Sequence, residues 1–140
     1  MDIREFSWDD YDAALALWDR LDMTKPNIDN RAALGACLAR NPGLFLVADD
    51  GAPPRLVGTV IGTFDGRRGY LYHVAVDPDW RRRGVGRALV EEVLRRLWAL
   101  GAPKVTLRVH AQNHEAIAFY RTIGLLVDDH VAGVSIERKD

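Results

Sequence analysis

The chain has 140 residues, of which 48% are hydrophobic and 28% are charged, and its formal net charge is −1 at pH 7. This size and composition predict one domain spanning residues 1–140 around a single core. The near-zero charge argues against a nucleic-acid partner, and no stretch reaches the ~18 apolar residues of a membrane span, so we expect neither partner. The acidic N-terminus does not resemble a secretory signal, and a cytoplasmic protein is expected.

The first third of the chain predicts a strand followed by two helices. Residues 2–6 predict the strand, and Ser7 and Asp10 have the spacing of a capping box for the first helix. Apolar residues then recur at helical intervals, at Tyr11, Ala14, Leu15, Trp18 and Leu21. Asp29 is expected to cap a second helix, which ends at residues 41–42. The single cysteine of this helix, Cys37, excludes an internal disulfide and a multi-cysteine site, and no metal is expected.

The remainder predicts a sheet interrupted by two helices. The expected elements are strands at 44–48, 56–64, 70–76 and 104–109, a helix at 84–100, and a helix after Asn113 that Gly124 closes. Short connections make the first three of these strands an antiparallel meander, whereas the helix before strand 104–109 makes that strand parallel to 70–76. The tail from 125 to about 138 is expected to add one or two strands. The prediction is a mixed α/β fold with six to seven mostly antiparallel strands and four helices.

A turn rich in arginine and glycine follows strand 70–76 and precedes a helix. The first N–H groups of a helix lack partners within it and carry partial positive charge, which favours a bound phosphate. Gly84 and Gly86 remove side chains that would keep a pyrophosphate away, and the arginines at 81–83 and 87 add cationic groups. The alternative is a solvated basic turn before an ordinary helix. A phosphate site is favoured because glycine is unfavourable in a helix's first turn.

Two common nucleotide motifs do not match this turn. A P-loop needs Lys and then Ser or Thr after its last glycine, but Arg87 and Ala88 stand there. A dinucleotide fingerprint needs a small residue at the position of Leu89 and lies on the first strand of its βαβ unit. The phosphate ligand is therefore of another class.

The chain resembles the GNAT superfamily of N-acetyltransferases over nearly its whole length. The first motif of that family, R-x-x-G-x-G/A, matches at Arg81, Gly84 and Gly86. The second motif, N-x-x-A-x-x-x-Y-x-x-x-G, matches at Asn113, Ala116, Tyr120 and Gly124. Each motif is moderately specific alone, whereas both together, in this order and separated by a helix and a strand, strongly favour the family.

The resemblance implies a protein, monomer or homodimer, that binds acetyl coenzyme A and transfers its acetyl group directly to an amine. Backbone amides of the turn would hold the pyrophosphate, and the end of strand 70–76 would pair with the pantetheine arm where strands 70–76 and 104–109 splay apart. The positions implied to bind the donor are Val74, Val76, Arg81, Arg82, Arg83, Gly84, Val85, Gly86, Asn113 and Tyr120. A non-catalytic module that senses acyl coenzyme A is the alternative.

The resemblance also makes Tyr120 the general acid. A phenol with pKa near ~10 lies only about 1.5 units above a thiol near ~8.5. The alternative roles are a core residue for Tyr120 and a simple helix cap for Asn113. Many relatives carry a glutamate base on the strand equivalent to 70–76, which has no carboxylate here. His73 is a possible base, but strand alternation places it opposite Val74, and a water relay is the leading option.

The acceptor site is expected between the first two helices and the loop 65–68. Trp18, Asp22, Asp65 and Arg68 are the candidate substrate residues, together with Arg67. Asp65 could hold an ammonium group and Arg68 a carboxylate. The alternative is that residues 65–69 form only a solvated hairpin turn.

Overall fold

The structure, a computed structural model, describes residues 1–51 and 55–139 and contains five strands and five α-helices within them. The strands are β1 (Asp2–Glu5), β2 (Phe45–Asp49), β3 (Leu56–Phe64), β4 (Gly69–Val76) and β5 (Val105–Thr106). The helices are α1 (Tyr11–Arg20), α2 (Pro26–Asp29), α3 (Arg31–Arg40), α4 (Val85–Ala99) and α5 (His114–Thr122). None of these helices is both long and apolar enough to span a bilayer.

The five strands form one sheet in the order β1-β2-β3-β4-β5. Neighbours from β1 to β4 are antiparallel, and β4 and β5 are parallel. The predicted meander and the single parallel pair are therefore confirmed, and with them the mixed α/β class. The short turns and the one helical crossover dictate this order, because a helix is needed to return the chain for parallel pairing.

Helices cover both faces of the sheet. On one face, apolar residues of α1 and α3 form a core with the sheet, namely Tyr11, Ala14, Leu17, Trp18, Leu34, Phe45, Val47, Ile61 and Ala75. On the other face, α4 packs over glycines of β3 and β4. A Cβ atom on Gly62 would lie 2.7 Å from Val93 Cγ2, and one on Gly69 would lie 2.9 Å from Val105 Cγ2. Glycine at these positions lets α4 and β5 approach the strands closely.

Two predictions about the sheet and one about a helix cap were wrong. The described residues hold five strands instead of six to seven, because no strand forms within 125–139. The fifth strand, β5, spans only Val105–Thr106 instead of 104–109. The apolar side chains of Leu126, Val134 and Ile136 are almost fully exposed, so no buried face stabilises strand pairing there. Asp29 was predicted to cap α3, but Asn30 does so, because its side-chain oxygen accepts the Ala33 N–H. The Asp29 side chain hydrogen-bonds His73 instead.

The chain forms two compact units, Met1–Leu107 and Arg108–Asp140. The first contains the whole sheet with α1 to α4, and the second contains α5. In the second unit, the side-chain oxygen of Asn113 accepts the Ala116 N–H at 3.1 Å and starts α5. Gly124, at φ +94°, lies just beyond its end, as predicted.

Candidate active site

Strands β4 and β5 pair only at their beginnings. The register joins Gly69 to Val105 and Tyr70 to Thr106, and no described strand pairs with that edge of β4 from residue 71 to residue 76. Val74 and Val76 lie in this unpaired stretch and are half-buried. An open strand edge of this kind can hydrogen-bond an extended ligand as another strand would.

A β-bulge interrupts β4 in the same stretch. Thr59 pairs with Ala75 and Ile61 pairs with Tyr72, so two residues of β4 lie opposite one residue of β3. His73, inside the bulge, has φ +47°, a conformation that is uncommon for a residue other than glycine. The bulge explains why strand alternation does not describe the direction of this side chain.

Buried hydrogen bonds hold the bulge in place. The Trp18 indole N–H donates to Thr59 Oγ1 at 3.0 Å, and the Thr59 hydroxyl donates to the His73 carbonyl oxygen at 2.8 Å. Thr59 and Trp18 are both inaccessible to solvent. Trp18, predicted to line the acceptor site, therefore lies in the core, where its ring packs against the His73 ring with centroids 4.5 Å apart.

The His73 side chain forms a pair with Asp29. Nε2 lies 2.9 Å from both carboxylate oxygens, and the two side chains are only 13% and 5% exposed. Asp29 is fixed in turn, because one of its oxygens accepts the Lys25 N–H at 2.7 Å and its main-chain carbonyl accepts the Tyr11 hydroxyl at 2.7 Å. No side chain between residues 1 and 51 or 55 and 139 hydrogen-bonds Nδ1 of His73.

The turn after β4 combines two left-handed residues with a helix N-terminus. Arg82 has φ +63°, and Gly84, which immediately precedes α4, has φ +81°. Successive N–H groups in such conformations form a concave site for anions. A Cβ atom on Gly84 would meet no atom within 4 Å, while Val85 and Gly86 are buried in the first turn of α4. No described protein atom therefore obstructs the approach to Gly84 at the start of α4.

The four arginines of the turn differ in their surroundings. The Arg83 guanidinium lies over the Trp80 ring, 4.7 Å from its centroid, and Arg87 donates to Glu91 at 2.6 Å. Arg81 and Arg82 are exposed and form no ion pair with any residue that the structure describes. Arg81, Arg82 and Arg83 therefore keep charges that no acidic side chain of the described residues neutralises, and Arg83 alone of the three also contacts an aromatic ring.

A buried carboxylate anchors the start of the turn. Asp77 accepts the Asp79 N–H at 2.9 Å and approaches Arg20 of α1 at 3.2 Å and Arg55 at 3.5 Å. Burial alone would raise the pKa of Asp77, but the hydrogen bond from the Asp79 N–H and those from the two guanidinium groups together hold this pKa below its usual range. Asp77 thus ties the turn to α1 and to the residue before β3.

Tyr120 and Asn113 lie in the second unit. Tyr120 is 8% exposed, and burial raises the pKa of its phenol to about 12. Within the described part of the chain its hydroxyl makes no hydrogen bond. Capping of α5 is a sufficient structural role for Asn113. The Tyr120 hydroxyl, in contrast, donates its proton to no group in the described residues.

The remaining acceptor candidates have local roles. Asp22, at φ +57°, follows α1, where its N–H bonds to the Asp19 carbonyl oxygen. Asp65 accepts the N–H groups of Arg67 and Arg68 at 2.7 and 2.8 Å, and these bonds lower the pKa of its exposed carboxyl. The solvated-turn alternative therefore accounts for Asp65, and contact of Asp22, Asp65 or Arg68 with a substrate stays a prediction.

Sequence reasoning did not identify Asp29 as a site residue. Its position before a helix predicted a cap, but Asn30, one residue later, is an equally good cap and takes that role. Two adjacent capping residues are a signal that one of them is free for another purpose. Over the described ranges, no group of three His, Cys, Asp or Glu side chains is arranged to hold a metal ion.

Comparison with known proteins identifies the family of the chain. Residues 1–125 match the sequence model of the acetyltransferase (GNAT) family. An acetyltransferase of Sodalis glossinidius is 36% identical over 131 residues, covering 94% of this chain and 91% of that protein. The crystal structure of Ard1 from Thermoplasma volcanium is similar, with a TM-score of 0.79 and 26% identity over 91% of this chain and 83% of that one. The fold also matches an N-acetyltransferase, PaiA, from Thermoplasma acidophilum in complex with coenzyme A, with a TM-score of 0.76 and 20% identity over 91% of each chain.

Proposed function

The chain belongs to the GNAT family of acetyltransferases, and from this premise we propose that it transfers the acetyl group of acetyl coenzyme A to a primary amine. Transfer occurs by direct attack within a ternary complex. The observation that carries the proposal is the open edge of β4 leading into the left-handed turn before α4. An open strand edge suits an amide-containing arm, and the helix N-terminus that follows it suits a pyrophosphate.

The donor is held mainly by main-chain atoms. Val74 and Val76 offer their backbone to the pantetheine arm, and the N–H groups of residues 81–86 surround the pyrophosphate. Arg81 and Arg82 add charge from side chains that have no acidic partner in the described chain. Coenzyme A alone should therefore bind without an acceptor and raise the melting temperature by mass action.

Tyr120 supplies a proton to the departing sulfur. With its pKa raised to about 12, the phenol stays protonated at neutral pH. The gap to a free thiol near ~8.5 is about 3.5 units, or about 5 kcal/mol, so the transfer requires a sulfur whose basicity desolvation has raised. Tyr120→Phe should lower kcat about 10²-fold at similar coenzyme A affinity. An unchanged kcat in steady-state kinetics would remove this role.

A thiol-release assay tests the function itself. Purified protein is incubated with acetyl coenzyme A and one of three probe amines, a peptide with a free N-terminus, lysine or spermidine, and the products are identified by mass spectrometry. Amine-dependent release of thiol with an acetylated probe supports the enzyme. Tight coenzyme A binding without transfer to any probe would support the non-catalytic acyl coenzyme A sensor, an alternative that the acetyltransferase relatives described above do not favour.

A further inference from the structure

The His73 side chain is held in a way that packing alone does not require. A residue other than glycine at φ +47° inside a strand costs on the order of 1–3 kcal/mol, and such strain persists only where the surrounding structure enforces it. Here Thr59 holds the carbonyl oxygen, Trp18 packs on the ring and Asp29 holds Nε2. Three separate elements therefore fix this residue, one through its main chain and two through its imidazole.

We propose that His73 is the proton acceptor for the amine substrate and that Asp29 is its positioning residue. This inference rests on the proposed function and deepens it, because it assigns a base to a strand that has no carboxylate. In this proposal a protein side chain accepts the proton, whereas the sequence favoured a relay of water molecules.

The Asp29 carboxylate determines which nitrogen of His73 can accept a proton. An ionised carboxylate only accepts hydrogen bonds, so Nε2 carries the hydrogen and Nδ1 keeps a lone pair. The same carboxylate stabilises the imidazolium that forms when Nδ1 takes a proton, as in other carboxylate–histidine pairs. Asp29 itself is held by the Lys25 N–H and by the contact of its carbonyl oxygen with Tyr11.

Few ionisable groups surround the imidazole. Asp29 of α2 is the charged group that touches it, Tyr11 of α1 contacts the main chain of Asp29, and Tyr72 precedes it on β4. Trp18 of α1 and Thr59 of β3 contact His73 but carry no charge. Asp29 is therefore the one charged side chain that the described residues place in contact with the imidazole.

The position of His73 suits a reaction at the open edge of β4. The residue lies in the stretch 71–76, where β4 has no strand partner in the described chain and where the proposed thioester arm would lie. Its side chain is 13% exposed and so is not fully shielded from solvent. Packing on Trp18 restrains rotation of the ring.

The proton balance of the step is complete. The amine enters as an ammonium ion and gives one proton to Nδ1, and the neutral nitrogen then bonds to the acetyl carbon as the carbon–sulfur bond breaks. The departing thiolate takes up the proton that the nitrogen loses as the amide forms. The proton on Nδ1 passes to water, so each turnover yields one amide, one thiol and one released proton.

Two variants test the pair. His73→Asn keeps a residue that tolerates positive φ but has no basic nitrogen, and Asp29→Asn keeps the shape of the carboxylate without its charge. Each should lower kcat/KM with the best probe amine about 10²-fold, with coenzyme A affinity within about two-fold. Because each change removes buried contacts, the melting temperature should fall as well, and the assays are run at a temperature at which circular dichroism shows the variant to be folded. His130 and Asp129 form an exposed pair at 3.6 Å, and His130→Asn is the matched control with unaltered kinetics.

Further readouts separate catalysis from a structural role. The fall of wild-type kcat/KM at acid pH should lose its imidazole component in His73→Asn, and the double variant should be no slower than His73→Asn alone. Activity of either single variant within about three-fold of wild type would overturn the proposal. If wild-type protein acetylates no probe, the proposed function is contradicted, and this outcome is distinct from a failure of the His73 proposal. In that case nitrogen NMR of the free protein tests the arrangement of His73 and Asp29. A proton on Nε2 of His73 supports the proposal, and a proton on Nδ1 overturns it.

Discussion

The phosphate turn, which follows β4, and the His73 pocket, at the bulge within β4, are built in opposite ways. The turn, residues 81–86, is largely exposed, cationic and formed by main-chain N–H groups in left-handed and helical conformations. The pocket is buried and formed by side chains from α1, α2, β3 and β4. Nearly every polar atom of the pocket already has a protein partner, whereas the turn presents donors and cations to solvent.

This difference predicts different responses to substitution. In the turn, a change of side chain leaves the N–H groups in place unless it alters φ, so most substitutions should have small effects. In the pocket, each hydroxyl or carboxylate serves two partners, and its loss leaves buried groups unpaired, which costs more than the bond itself contributes. The predictions below run from the largest expected effect to the smallest.

Thr59→Val should have the largest effect. The change removes the hydroxyl that accepts the Trp18 N–H and donates to the His73 carbonyl oxygen, and it leaves both groups buried without a partner. We expect a loss of about 2–4 kcal/mol in the free energy of unfolding, measured by urea denaturation. Thr63→Val is the matched control, because the Thr63 hydroxyl reaches the Tyr70 carbonyl oxygen at only 3.4 Å. Equal losses in the two variants would contradict the role of Thr59.

Gly84→Val should come next and should affect ligand binding more than stability. No protein atom obstructs a Cβ there, but φ +81° strains a β-branched side chain by about 1–2 kcal/mol or displaces the N–H groups of the turn. Coenzyme A affinity, measured by calorimetry, should fall about ten-fold or more. Gly66→Val, at φ +94° with equally open surroundings in the hairpin turn, should leave affinity unchanged. Normal affinity in Gly84→Val would remove the turn from the donor site.

The same contrast explains what could be predicted from the sequence. The turn, the β2–β4 meander and α4 follow from local signals, namely glycines before a helix, short connections and helical periodicity. The His73–Asp29 pair joins residues 44 positions apart and depends on a bulge in β4. Alternation, the only local guide to strand faces, does not hold across a bulge. The short β5 also escaped prediction, because Leu107 and Val109 alternate like strand residues without pairing with β4.

Asp77→Asn should have a moderate, pH-dependent effect, since Asp77 anchors the segment that joins β4 to the turn. The folded state lowers the pKa of this carboxyl, so its contribution to stability is present above the ordinary pKa of ~3.9 and is lost as pH falls through and below it. Wild type should be more stable than the variant by about 1–2 kcal/mol at pH 7, with the difference shrinking towards pH 3. Thermal unfolding across this range measures it. A difference that is constant with pH would show that the charge of Asp77 contributes nothing.

Substitution of single arginines in the turn should have the smallest effect. Arg81→Gln and Arg82→Gln should each weaken coenzyme A binding about three- to five-fold at low salt, because an exposed cation contributes about 1 kcal/mol or less to an ionic contact. The loss should narrow as salt is added. Arg87→Gln is the control, because Glu91 already engages Arg87 at 2.6 Å and its charge is partly neutralised. If Arg87→Gln weakens binding as much as Arg81→Gln does, the side chains act only through the net charge of the turn, and the main-chain N–H groups alone give the site its geometry.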